Sequence, residues 1–218
     1  MHGFIFLLLF PAFLYGQEDT RAQKIIDDMV ARIGACPSVQ LTFSATVTRL
    51  QDKSESMHDG KLWLKNNRYK LELLPDNILL FNGEKLYQFL PEVNEVNVTQ
   101  PDMNEDDEDF QLFNPRTFFR LSSKNFKSHL VRESTQNNRK VYEMDLYPLQ
   151  VKTTKYSRVR VCVEKETLQI VRLTAFMKDG TQYALTFQPY TVLKALPDSF
   201  FEFSVAEHPG VEIIDLTF

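Results

Sequence analysis

Leu41-Thr42-Phe43-Ser44-Ala45-Thr46-Val47-Thr48 is the stretch that decides the architecture of this chain. Apolar side chains at the odd positions alternate with hydroxyl-bearing ones at the even positions. Successive side chains of a strand point to opposite faces, so this stretch predicts a strand with one face buried and one face wet. Immediately upstream the period changes: Ala22, Ile25, Ile26, Met29, Val30 and Ile33 recur at spacings of three and four, with charges between them. That spacing predicts one amphipathic helix from Thr20 to Gly34, stopped by Gly34 and Pro37.

Downstream the alternation returns in short runs. These are Leu62 and Leu64; Tyr69, Leu71 and Leu73; Ile78 to Phe81; Leu86 to Phe89; and Val96 and Val98. They continue as Val141 to Tyr147, Tyr156 to Val163, Leu168 to Met177, Tyr183 to Phe187 and Phe201 to Val205. Asp59-Gly60, Asn82-Gly83 and Asp179-Gly180 read as hairpin turns, and Pro209-Gly210 as a further turn, because glycine supplies the positive φ that tight turns need. The expectation is an α+β chain, mainly antiparallel β, with about eleven strands in a meander.

So large a sheet has to curl or split. The helix and an insertion are the candidates to cover its apolar face. The insertion runs from an acidic stretch, Asp102 to Asp109, into Phe110, Leu112, Phe113, Phe118, Phe119 and Leu121, with Asn114-Pro115 fit to cap a short helix. Two short helices would leave an unclosed half-barrel incompletely filled, with an apolar cavity. A densely packed sandwich is the alternative.

Composition narrows the function. Of 218 residues 43% are hydrophobic and 25% charged, and 25 Lys plus Arg stand against 29 Asp plus Glu. A net charge of -4 argues against a nucleic-acid binder, which needs a basic footprint. Phe4 to Tyr15 is apolar and too short for the roughly 20 residues of a membrane-spanning helix. It reads as a signal peptide, residues 1–16, ahead of a single domain, residues 17–218. No cysteine stands near the cut to take a lipid anchor, so an exported, diffusing protein is expected. Cys36 and Cys162 are either a disulfide or two separate thiols, and both readings stay open.

No catalytic constellation assembles. HExxH, GxSxG, P-loop and GxGxxG motifs are absent. His58, His129 and His208 are far apart, and His2 goes with the signal. Glu105 to Asp109 are consecutive carboxylates without the spaced ligands and glycine of a calcium loop, and read as a solvated loop. Neither an enzyme, a metal nor a cofactor is expected. Asn97-Val98-Thr99 matches a glycosylation sequon and is read as chance.

Four segments together carry a resemblance over nearly the whole mature chain. Asn82-Gly83-Glu84-Lys85-Leu86-Tyr87-Gln88-Phe89-Leu90-Pro91, followed by Val93, Glu95 and Val96, is the most specific. Gly60-Lys61-Leu62-Trp63-Leu64-Lys65 with Arg68-Tyr69 is the second, and Phe201-Glu202-Phe203 with Pro209-Gly210-Val211-Glu212-Ile213 the third. Leu41-Thr42-Phe43 after an amphipathic helix is the fourth. In order and spacing they resemble the LolA family of periplasmic lipoprotein carrier proteins.

The resemblance implies an unclosed half-barrel lidded by helices. It implies a periplasmic, monomeric carrier that takes acylated outer-membrane lipoproteins from an inner-membrane ABC transporter complex and passes them to an outer-membrane acceptor. Leu62, Leu64, Leu71, Leu73, Leu86, Phe89 and Val96 would line the cavity. Phe110, Leu112, Phe113, Phe118 and Phe119 would form the lid, and the acidic run beside it could meet a basic transporter surface. Where well-known members carry a gating arginine after the strand lysine, this chain has Asn66, with Arg68 two residues on. Arg68 is therefore the gating candidate, unless the gate is missing. A carrier of another lipid or hydrophobic molecule, and a periplasmic ligand-sensing module of the same fold, are the other readings.

Overall fold

A computed structural model describes residues 20–73, 77–101, 121 and 125–217. The expected signal peptide, the acidic run and the lid residues Phe110, Leu112, Phe113, Phe118 and Phe119 lie outside the described residues. The chain opens with helix α1 (Thr20–Gly34) and continues through β1 (Ser38–Arg49), β2 (Ser54–Lys65), β3 (Arg68–Leu73), β4 (Asn77–Phe81), β5 (Leu86–Leu90) and β6 (Glu95–Thr99). Then come β7 (Phe126–Gln136), β8 (Arg139–Pro148), β9 (Tyr156–Glu164), β10 (Ile170–Met177), β11 (Thr181–Phe187) and β12 (Thr191–Leu193). Two 3-10 turns (Asp198–Phe201 and Val205–Glu207) lead to β13 (Glu212–Asp215).

All thirteen strands join one sheet in the order β13-β6-β5-β4-β3-β2-β1-β11-β10-β9-β8-β7, with β12 beside the start of β1. Every pairing is antiparallel except that of β13 with β6, which is parallel. Among the described residues the sheet does not close: β13 and β7 are its two edges.

The periodicity of α1 dictates where it lies. Ala22, Ile25, Ile26, Met29 and Ile33 fall on one stripe, and all five are buried. Each large apolar side chain buried this way contributes about 1.5–3 kcal/mol. They meet the odd-numbered side chains of β1, Val39, Leu41, Phe43 and Ala45, in one continuous core. Ala35 and Cys36 donate backbone N–H groups to the carbonyls of Ala31 and Ile33, closing the last turn.

Three expectations are corrected. Asp59-Gly60 is not a turn: Gly60 lies inside β2, opposite Phe43, and the β1–β2 hairpin turns at residues 50–53, with Lys53 at φ 57. Phe201 to Val205 is not a strand but lies on and between the two 3-10 turns. Among the described residues the count is thirteen rather than about eleven, because β7, β12 and β13 carry too few apolar residues to announce themselves. Gly83 and Gly180 do sit at positive φ in turns, and so does Gly210.

Candidate binding face

Strand register fixes which side chains share a face. Leu41 pairs with Leu62, Leu62 with Leu71 and Leu71 with Leu79. Leu79 then faces Gln88, and Gln88 faces Asn97. A second row runs Val39, Leu64, Tyr69, Phe81, Leu86 and Thr99. On the other side of β1, Ala45 leads through Leu185, Leu173, Val161 and Met144 to Leu130. Since cross-strand partners lie on the same side of a sheet, these rows form a single inner face, the one on which α1 packs.

That face is mostly apolar from β7 to β4, interrupted by Ser128, Glu133, His58 and Asn77, and turns polar at Gln88, Asn97 and Glu95. Under α1 it is fully buried. Toward β3, β4 and β5 the covering thins: Leu73, Leu79, Leu86 and Leu90 are only half-buried. Accessible apolar surface beside a polar rim can hold a flexible hydrocarbon chain without directed polar contacts.

The sequence-derived lining divides accordingly. Leu62, Leu64 and Leu71 lie on the inner face but are core residues, sealed in the main cluster. Leu73 and Leu86 lie there with part of their surface accessible. Phe89 and Val96 do not: Phe89 is three residues beyond Leu86, so it points to the opposite, outer face, and its partner Val96 goes with it. There they form a separate cluster with Val98, against Ile78, Tyr87, Phe203 and Val211. Leu79 and Leu90 are inner-face residues that the sequence did not single out. The run Ile78 to Phe81 is apolar at every position, so only the register reveals which members face inward.

Arg68, the gating candidate, lies on the outer face. It pairs with Lys65 on the face opposite Leu64 and Tyr69, donates Nε–H to the Asn82 carbonyl at 2.7 Å, and ion-pairs with Asp198. Lys65 reaches the same carboxylate at 2.8 Å and also the Leu196 carbonyl. Hydrogen bonds from Lys65 and Arg68 hold the Asp198 carboxyl below its ordinary range. Arg68 thus fastens the C-terminal arm to the outer face. The arm continues with Phe200 edge-on to Trp63 and Phe203 against Phe89 at 5.3 Å. His208 packs on both Phe89 and Phe203. β13 then seals the edge of β6.

The helix is held at its other end. Arg21 pairs with Glu133 of β7 at 2.7 Å, Lys165 pairs with the same carboxylate, and both cations lie over the Tyr142 ring. The outer face of β8 carries two further carboxylates. Burial alone would raise Asp145, but hydrogen bonds and charge from Arg160 and Arg158 outweigh it and hold the group low. Glu143 is held low in the same way, against its burial, by Ser134, Arg132 and Gln136. Each is satisfied by neighbours on its own sheet, which is a structural role.

Cys36 and Cys162 are both free thiols, so the two-thiol reading holds, and burial pushes the Cys162 thiol up. Among the described residues no three His, Cys, Asp or Glu side chains group as a metal site.

Known proteins share this geometry. The chain superposes on an uncharacterized conserved protein from Thermus thermophilus with a TM-score of 0.56 at 9% identity, over 89% of this chain and 99% of that one. A DUF1329 family protein from Desulfovibrio piger matches with a TM-score of 0.50 at 13% identity, over 85% and 97% of the two chains. A putative outer membrane lipoprotein-sorting protein domain from Vibrio parahaemolyticus gives 0.47 at 11% identity, over 84% and 96%. No curated protein matches in sequence. The model of the family described as outer membrane lipoprotein carrier protein LolA matches residues 36–204. That span takes in every inner-face row from β1 to β11, and the chain belongs to the LolA family.

Proposed function

We propose that the protein is a periplasmic carrier that shelters the acyl chains of lipoproteins against the inner face of its sheet while they cross from the inner to the outer membrane. The observation that carries the reading is the unclosed sheet whose inner face is apolar over most of its width and only half-covered at Leu73, Leu79, Leu86 and Leu90. Family membership supports it.

The physical need is plain. Each methylene moved from lipid to water costs about 0.8 kcal/mol, so a lipoprotein with two or three acyl chains does not leave a bilayer unaided. A carrier must substitute for the bilayer, and must also let go. Leucine side chains without directed polar groups give burial with little shape selection, so an acceptor offering equal or better burial can withdraw the cargo. On this reading an inner-membrane ABC transporter complex loads the protein and an outer-membrane acceptor unloads it. No nucleophile, base or metal set is needed.

The test is a release assay. Protein comprising residues 17–218 is added to spheroplasts of its source organism, and the soluble fraction is probed for acylated lipoproteins bound to it. Soluble complexes that Leu73→Glu abolishes, in a variant with an unchanged circular dichroism spectrum, are the expected result. Extracted phospholipid or glycolipid without lipoprotein would replace the cargo with another lipid. Nothing bound at all would end the carrier reading.

A further inference from the structure

The loops at one end of the sheet carry a feature that cargo binding does not explain. β1, β10 and β8 run in the same direction within the sheet, so the loops that follow them, residues 50–53, 178–180 and 149–155, emerge at the same end. They are tied together. Gln51 donates its side-chain N–H to the Asp179 carbonyl at 3.3 Å. Lys178 Nζ donates to the Val151 carbonyl at 2.7 Å, and the Lys178 backbone N–H donates to the Lys155 carbonyl at 2.9 Å. The three loops therefore form one surface rather than three independent tips.

Its composition is both apolar and basic. Leu50, Leu149 and Val151, all in these loops, are 56%, 58% and 59% exposed. Residues 50–53, 149–155 and 178–180 hold four cations, Lys53, Lys152, Lys155 and Lys178, against two carboxylates, Asp52 and Asp179, in a chain whose net charge is -4. The two carboxylates accept the backbone N–H groups of Ser54 and Thr181 and serve the turns themselves.

Scattered exposed leucines are ordinary on a protein surface. Exposed apolar side chains interleaved with lysines on one linked surface are the pattern of a protein that rests on a bilayer: the apolar side chains enter the interface while the cations lie against anionic headgroups. We infer that this end of the sheet, centred on Leu50, Leu149 and Val151, docks the protein reversibly on bilayers containing anionic phospholipid. Charge complementarity selects the bilayer as occupant. The inference goes beyond carriage and does not depend on which cargo is carried.

The test places a local reporter. The single tryptophan is first removed by Trp63→Phe, and a new one is then introduced by Leu149→Trp or, as a control at the opposite end of β1, by Val192→Trp. Each protein is mixed with vesicles of phosphatidylcholine alone or of phosphatidylcholine with phosphatidylglycerol, in which some acyl chains carry bromine as a quencher. A blue shift and quenching at position 149 are expected only with the anionic vesicles, with no change at position 192. Adding Lys152→Glu and Lys178→Glu should weaken the response about tenfold or more, and raised salt should weaken it too. Because the reporter is local, lipid held elsewhere on the chain leaves it unchanged. Emission at position 149 that stays that of water on both kinds of vesicle would overturn the proposal and leave a protein as the occupant. So would a response indifferent to lipid charge, or one shared by position 192.

Discussion

Gly60 on β2 stands opposite Phe43 on β1, and a Cβ placed on Gly60 would lie 2.3 Å from the Phe43 ring. Phe43 is buried and its ring meets Phe187 at 5.9 Å. The glycine is thus the space that lets a phenylalanine lie flat over the sheet where β1, β2 and β11 meet. Gly60→Ala forces that ring into a packed core, and a loss of about 1–3 kcal/mol follows, the usual cost of overpacking. A lower midpoint in urea at constant slope is the readout. At Gly34, where a Cβ would meet nothing within 4 Å, the same substitution leaves the midpoint unchanged or slightly raised.

The division of the sheet into two faces predicts two behaviours for substitutions only a few residues apart. Leu86→Glu places a carboxylate on the half-covered inner face and lowers the affinity for a fluorescent fatty acid about tenfold or more, since hydrocarbon would then lie against a charge. Phe89→Leu empties part of the outer cluster beneath Phe203 and His208. It lowers the unfolding temperature, by about 1–3 kcal/mol in stability, and leaves probe affinity within about twofold. Equal losses of affinity from both would contradict the assignment of faces.

Arg68 is expected to act on the arm and not on the binding face. Arg68→Ala releases one of the two cations on Asp198, so amide exchange at residues 198–216 accelerates while fatty-acid affinity holds. Surface ion pairs are weak, and the global unfolding midpoint should barely move. A change in ligand affinity without a change in exchange would restore the gating role.

The paired carboxylates of β8 set the acid limit. Asp145 and Glu143 are both held below their ordinary values by basic and hydroxyl neighbours. A group whose folded value is depressed binds its proton less readily when folded, so its contribution is present above the unfolded value and lost as pH falls through the folded one. Stability should therefore be flat at neutral pH and fall below about pH 4, the ordinary carboxyl range. Asp145→Asn should remove part of that fall, and cost about 1.5–3 kcal/mol at neutral pH, the range for hydrogen bonds to a charged group. Thermal unfolding followed across pH in both proteins reads this out.

What could be read from the sequence follows from what local chemistry encodes. The stripe of α1 and the alternation of β1 are local properties, and both elements are where the spacing puts them. β7 is an edge strand, alternating poorly and rich in charge, so nothing in Phe126 to Gln136 distinguished it from a loop. Phe201 and Phe203 looked like a strand because they are aromatic. The Phe200 and Phe203 rings instead anchor a C-terminal arm to the outer face, a tertiary contact with no period of its own. The face of Phe89 was not legible for a related reason. Leu86, Tyr87, Phe89 and Leu90 are apolar on both sides of β5, because the arm covers one side and the other belongs to the half-buried inner face, and only pairing with Ile78 and Val96 settles the parity. Gly60 misled as a turn signal because the same freedom from a Cβ serves a close approach as well as a bend.

The central claim is that acyl chains lie on the inner face of the sheet, near Leu73, Leu79 and Leu86. Photolabelling tests it most directly: a lipoprotein bearing a diazirine in its acyl chain is loaded onto the protein, irradiated, and the adducts mapped by mass spectrometry. Labels on β3, β4 and β5 at inner-face positions, with none on Phe89, Val96 or Phe203, are the predicted result. Labels confined to the outer face or to the C-terminal arm would contradict it.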